Sequence, residues 1–297
     1  MKTLNVSKNK MKTLLIPIAI IVIGIVMFFV NKGFNFDIEF QGGVKMEIAM
    51  EGDVNTEEIK SYLETETGIK PVIVQTTSKG VSIKTQPISE ELKAQIFQKM
   101  QEKYQLEDDA LISANAASAS FGKRVQTKTI IFTLIAMLCI LAYIAIRFEW
   151  RSAITAVLAL LINILVMMSV YAIFQIPLNT TFIAAMLTVV GYSINDTIVM
   201  FDRIRDNMKQ YNPKKQMTVS KIVDIAVTDC MGRTLGTSLT TLITIVLLYF
   251  IGVSAVKEFA FPLIIGVLSG TFTSIFVAVP FWGAWKDAAY EAKKVRK

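Results

Sequence analysis

Asp196 stands in the string Gly191-Tyr192-Ser193-Ile194-Asn195-Asp196-Thr197-Ile198-Val199-Met200-Phe201-Asp202-Arg203-Ile204-Arg205, an acid within an otherwise apolar span. A carboxylate at the centre of a membrane helix costs roughly 2.5–3.5 kcal/mol on the insertion scale. Such a group faces a protein interior or a wet cavity, where it can take up and release protons. A matching cation, Arg233, heads the segment Arg233-Thr234-Leu235-Gly236-Thr237-Ser238-Leu239-Thr240-Thr241. On a helix Arg233, Thr237, Thr240, Thr241 and Thr244 share one stripe. The stripe reads either as interhelical hydrogen bonding or as the wall of a wet path. Arg233 can snorkel to the headgroups or pair with Asp196. Burial favours a protonated carboxyl and a nearby guanidinium an ionised one, so a pair that forms and parts would move protons. Asp196, Arg233, Asn195 and Thr237 are therefore the candidate proton relay. Gly191 and the pairs Gly232/Gly236 and Gly266/Gly270 are candidates for close helix packing. The chain has no His and no zinc-like Cys/His spacing, and its polar stretch 31–128 has no convincing nucleophile–base pair. Neither a cofactor, a metal site nor an enzymatic activity is expected.

The elements that must position these residues follow from composition. Of 297 residues 53% are hydrophobic and only 19% charged, which is too apolar for a soluble domain. The net charge of +7 reads as anchoring at the cytosolic membrane surface rather than nucleic-acid binding. Six segments have the apolar length that spans a bilayer: 14–30, 129–146, 152–174, 180–200, 234–253 and 259–282. The first has a basic lead and no cleavage site, so it is expected to be an uncleaved anchor. Lys and Arg crowd the tail 1–13, the turn at Arg147 and Arg151, the stretch 201–233 and the tail 283–297. The turn 175–179 has none, and the last loop has only Lys257. The positive-inside rule then puts both termini and the loop 201–233 in the cytosol, within a region 129–282 holding spans two to six. Asp202, Arg203, Arg205 and Asp206 continue the fourth helix outward as a charged extension suited to lipid headgroups.

Residues 31–128 are polar and fall outside, between the first two spans. Val44–Met50 alternates as a strand, and Asn55 caps a helix with Ile59, Tyr62 and Leu63 on one face. Pro71–Thr76 and Val81–Thr85 flank a Ser78-Lys79-Gly80 turn. Ser89 caps a second helix, and Ala110–Ser120 is the last strand. The order βαββαβ predicts a small ferredoxin-like α+β domain on a six-helix membrane protein.

The Gly191–Arg205 string and the Arg233–Thr241 segment resemble the signatures of the SecF members of the SecD/SecF family of bacterial protein-export membrane proteins. The six spans and the large loop after the first match as well. The family's Gly-x-Asp-Phe-x-Gly-Gly mark is degenerate here, Asp37-Ile38-Glu39-Phe40-Gln41-Gly42-Gly43, with Glu39 in place of the Asp. The resemblance implies a fold of the resistance–nodulation–division type and a SecD partner completing a pseudo-symmetric bundle. It implies use of the proton-motive force to help a preprotein leave the SecYEG channel, in the bacterial cytoplasmic membrane. Asp196 and Arg233 match the family's intramembrane charges linked to proton movement. SecD, SecYEG, a translocating preprotein and membrane lipids are thus the expected partners. A proton-coupled half-transporter of the same superfamily, exporting lipids or small hydrophobic molecules, and a passive scaffold of the translocon stand as alternatives.

Overall fold

The computed structural model describes residues 3–50, 55–69, 71, 73–77, 80–117, 119–211 and 217–295. The expected turn residues Ser78 and Lys79, Val72 of the expected strand Pro71–Thr76, Ser118 within the expected strand Ala110–Ser120, and Lys2, Lys214, Lys215, Arg296 and Lys297 lie outside them. Two compact units emerge. One comprises Met1–Phe34, Phe132–Ile176 and Thr181–Lys297; the other comprises Asn35–Ile131 and Pro177–Thr180.

Six helices among the described residues are long and apolar enough to cross a membrane, as the sequence predicts. The first helix, α1, is Val6–Val30. Helix α5 is Ala119–Arg147, α6 is Trp150–Phe174 and α7 is Thr180–Gln210. Helix α8 is Val219–Ile251. The last path is α9 (Ser254–Thr273), a π-helical turn Ser274–Ala278 and α10 (Val279–Val295). The stretch 201–233, expected as a loop, is mostly helix: α7 runs to Gln210 and α8 begins at Val219. Charge does not end a helix without a breaker or cap, and Thr218 supplies the cap, accepting from the Lys221 N–H. Asp287 adds to it, accepting from the N–H groups of Val219 and Ser220 at 2.7 and 2.9 Å.

Ala153, Ala156, Met200, Phe201, Ile204, Val223, Ala226 and Val227 pack a buried core with Ile275 and Val279. Small residues on α6 let the larger side chains of α7 and α8 close over it. The opposite faces of the outer helices carry exposed Leu15, Val22 and Phe29, and Leu235, Leu239 and Leu247. An apolar exterior on long apolar helices is the surface that hydrocarbon solvates.

In the other unit, α2 (Ile38–Gln41) precedes β1 (Gly43–Ala49), α3 (Thr56–Thr67), β2 (Ile73–Thr77), β3 (Gly80–Thr85), α4 (Glu90–Tyr104) and β4 (Leu111–Ala117). The four strands order β2-β3-β1-β4 with every neighbouring pair antiparallel. This is the expected ferredoxin-like arrangement, in which each βα crossover skips one strand. Asn55 and Ser89 cap α3 and α4 through their side-chain oxygens. Val44, Met46 and Ile48 of β1 and Val81 and Ile83 of β3 meet Ile59, Leu63, Ile96 and Met100 of the helices. Glu58 holds the Lys103 ammonium at 2.8 Å across the two helices, which keeps its pKa above the ordinary lysine value.

Candidate functional site

Helix α7 places Asp196. Its buried face repeats every three or four residues, through Phe182, Ala185, Met186, Val189, Val190, Ser193, Asp196, Thr197, Met200 and Phe201. That is the apolar stripe of an amphipathic helix, and a carboxylate occupies one position of it. Asp196 is 4% exposed, and its Oδ2 has no hydrogen-bond partner among the described residues. A buried polar atom left unpaired is a stability cost that a functional site tolerates.

Hydroxyls surround this stretch of α7. The Thr197 hydroxyl donates to Ser274 Oγ at 2.9 Å, and Ser274 Oγ donates to the Ser193 carbonyl at 3.2 Å. Ser274 opens the π-helical turn, and such turns recur inside helices at functional sites. On the neighbouring helix Ser269 donates to Asn163 Oδ1 of α6. Asn163 is 1% exposed, and its Nδ2 is unpartnered among the described residues. A methyl group at Gly270 would sit 2.8 Å from both Asn163 Nδ2 and Ser193 Oγ. Gly266 is equally tight, with Val189 Cγ2 at 2.3 Å from such a methyl. Ser269 and Ser274 escaped the sequence reading because a lone serine in an apolar run has no periodic signal.

The other candidates face away. Gly191 and Asn195 are exposed on α7. On α8 the buried positions are Cys230, Thr234 and Ser238; Gly232, Arg233, Gly236 and Thr237 are exposed. Arg233 precedes Thr234 by one residue, hence lies about 100° around the helix from the buried line. No ion pair joins Arg233 to Asp196 among the described residues. The threonine hydroxyls bond back into their own helix: Thr237 to the Thr234 carbonyl at 3.0 Å, Thr241 to Thr237 at 2.9 Å and Thr244 to Thr240 at 3.1 Å. A methyl added at Gly191, Gly232 or Gly236 meets nothing within 4 Å, so these glycines pack against no other helix among the described residues. Gly270→Ala is therefore expected to lower the melting temperature of the purified chain by several degrees, while Gly236→Ala leaves it unchanged. A thermal melt in detergent separates the two, and equal melts would contradict the packing.

The degenerate family segment builds a second constellation, in the α+β unit. Asp37 is 3% exposed; its Oδ1 accepts from the Ile38 N–H at 2.6 Å and its Oδ2 from Lys84 Nζ at 2.7 Å. Lys84 is 2% exposed, so this is a buried ion pair. The Glu39 carboxylate accepts from the Thr180 N–H at 2.8 Å and its hydroxyl at 2.6 Å. A carboxylate at the first residue of a helix answers its unpaired N–H groups. The Asp37 N–H donates to the Leu178 carbonyl, and the Leu178 N–H to the Asn35 carbonyl, both at 2.8 Å. Gly42 and Gly43 take φ of 82° and 148°, which side chains other than glycine rarely adopt. Sequence reasoning missed Lys84, whose partner lies 47 positions away and leaves no local pattern.

Comparison with known proteins places the same residues in a wider frame. The family described as protein export membrane protein SecD/SecF, C-terminal, matches residues 95–288. The protein translocase subunit SecF of Alicyclobacillus acidocaldarius is 35% identical over 91% of this chain and 88% of its own length. The protein translocase subunit SecDF of Bacillus subtilis is 31% identical over 90% of this chain, which spans 36% of that protein. The crystal structure of SecDF, a translocon-associated membrane protein from Thermus thermophilus, superposes with a TM-score of 0.86 at 27% identity. It covers 96% of this chain, which spans 39% of it.

Proposed function

The chain belongs to the SecD/SecF family of protein export membrane proteins, in its SecF branch, and from that premise we propose that it works with a SecD partner as a proton-driven aid to export. It is a multi-pass membrane protein with a role in protein export. In the proposed reading it sits in the bacterial cytoplasmic membrane with both termini cytosolic and the α+β unit outside. There it uses the proton-motive force to promote release of a preprotein from the SecYEG channel.

The observation that carries the reading is a buried carboxylate on α7 whose Oδ2 has no partner among the described residues, with polar side chains turned outward on α8. Asp196 is closed in, whereas Arg233, Asn195 and Thr237 are exposed beside Gly191, Gly232 and Gly236. Polar groups on the outside of a membrane helix are costly against lipid, and glycines there suit the close approach of another helix. The fused relatives carry more than half their length beyond the part this chain matches, enough for the six further helices of a partner. Closure of that partner over α7 and α8 would bring Arg233 toward Asp196, and reopening would withdraw it. A carboxyl alternately beside a guanidinium and alone in apolar surroundings binds and releases a proton each cycle.

The test is copurification and cross-linking with SecD. Gly236→Cys, on the outward face, is expected to form a disulfide-linked adduct with cysteines placed on SecD helices; Ser238→Cys, on the buried line, is not. Absence of SecD from the purified complex, or equal adducts from both positions, would refute the partnership. The passive scaffold is separated by Asp196→Asn, which it predicts to be silent.

A further inference from the structure

The chain has three tryptophans, and all three gather at one end of the six-helix unit. Trp150 opens α6, and Trp282 and Trp285 lie on α10. The rings of Trp150 and Trp285 stand edge to face at 5.2 Å, and Trp282 meets Phe201 at 5.7 Å. Arg151 lies over Trp150 at 5.1 Å, and Lys286 over Trp282 at 5.7 Å. Tryptophan between apolar helix and basic side chains marks the headgroup level of a bilayer.

Between the start of α6, the end of α7 and α10 opens a hollow of about 290 Å³. Phe148, Phe201, Ile204, Met208 and Trp282 make its walls apolar. Its charged members are Arg205, Lys209 and Lys286 against one carboxylate, Glu149. Glu149 is already held by Lys286 and, at 3.6 Å, by Arg151. Arg205 leans on Asp202 at 2.8 Å and Lys209 on Asp206 at 3.3 Å. Two residues of the lining each carry a buried N–H donor, Arg205 Nε and Trp282 Nε1, with no acceptor among the described residues. Both are donors, so the group that answers them must accept and need not donate.

We infer that this hollow is a binding site for an anionic phospholipid. The upper part of one acyl chain lies along Phe148, Ile204 and Met208, and phosphate oxygens accept from Arg205 and Trp282. Three features converge on that occupant. An apolar wall suits hydrocarbon, and the unpaired donors require oxygen acceptors. Two shared carboxylates, Glu149 between Lys286 and Arg151 and Asp202 between Arg147 and Arg205, leave a local excess of positive charge that favours an anion. The size, near the lower end of about 300–1,000 Å³ typical of ligand pockets, admits part of a lipid with the rest in the bilayer. Free phosphate satisfies the donors and leaves the apolar wall uncovered.

The full chain, with any partner that copurifies, is reconstituted in nanodiscs of phosphatidylcholine with a minority of phosphatidylglycerol. Lipid retained after detergent release is read by native mass spectrometry. Retained phosphatidylglycerol is expected to exceed phosphatidylcholine roughly tenfold relative to its supply. Arg205→Gln with Lys286→Gln is expected to bring the ratio near parity. Met208→Trp, which fills the hollow without altering charge, is expected to lower the retained lipid and gives an independent answer should the double variant not fold. No preference in the unaltered chain, or a preference unchanged in Met208→Trp, overturns the site. Inorganic phosphate that shifts the tryptophan emission as fully as phosphatidylglycerol does would assign the donors to a free anion and overturn the lipid reading.

Discussion

Asp196→Asn is expected to remove the proton-dependent part of export while leaving the six-helix unit folded. The substitution keeps the side chain's shape and ends its ability to exchange a proton. No ion pair is lost, since none joins Asp196 among the described residues. The bonds that fix the surrounding helices run through other atoms, from Thr197 to Ser274 and from Ser274 to the Ser193 carbonyl. Its melting temperature should therefore stay close to that of the unaltered chain. The export rate under a proton gradient should fall about tenfold or more, the consequence of about 1.4 kcal/mol of lost coupling. With the gradient collapsed, the two proteins should export alike. Asp196→Glu, which keeps a titratable group, should recover part of the response. Full export and an unchanged response to the gradient in Asp196→Asn would sink the proton-carrier role, and a large fall in melting temperature would recast Asp196 as a structural residue.

How far the sequence could be read depended on the range of the interaction. Six spans were legible because a run of about 20 apolar residues has few other uses. The caps at Asn55 and Ser89 were legible because capping acts within three residues. The βαββαβ order followed from them, and the sheet confirms it. Helix ends were less legible. The Ala- and Ser-rich stretch after residue 110 gives β4 only to Ala117, and α5 starts at Ala119, because small residues suit either structure. Periodicity showed that Arg233, Thr237 and Thr240 share a stripe and could not show which way it faces. Both α8 faces mix small, polar and apolar residues, so the pattern does not choose between them. The hydroxyls that do gather near Asp196, from Ser274 and Thr197, come from helices 77 positions apart. Only tertiary packing brings them together.

Breaking the Asp37–Lys84 pair is expected to be the most destabilising change in the α+β unit. Both side chains are nearly inaccessible, and they meet at 2.7 Å. Removing one partner leaves a charge that water cannot reach, a cost of about 3–5 kcal/mol. In a unit of this size each kcal/mol moves the melting temperature by about 4–8 °C, so Asp37→Asn or Lys84→Met alone should lower it by about 12 °C or more. The double variant Asp37→Asn/Lys84→Met removes both charges and keeps an oxygen at residue 37 for the Ile38 N–H. It should recover most of the loss, because a buried ion pair gains little over a neutral pair of similar volume. Additive losses in the double variant would show that the two residues act separately. The consequence reaches beyond stability, because the Asp37 N–H donates to Leu178 and Glu39, two residues on, caps Thr180. Thr180 is the first residue of α7, the helix that carries Asp196. Amide exchange at Leu178 and Thr180 should therefore quicken in Asp37→Asn. Export should weaken with it, although Asp196 and its neighbours are untouched. Unchanged exchange at those two amides would confine the pair to holding the sheet.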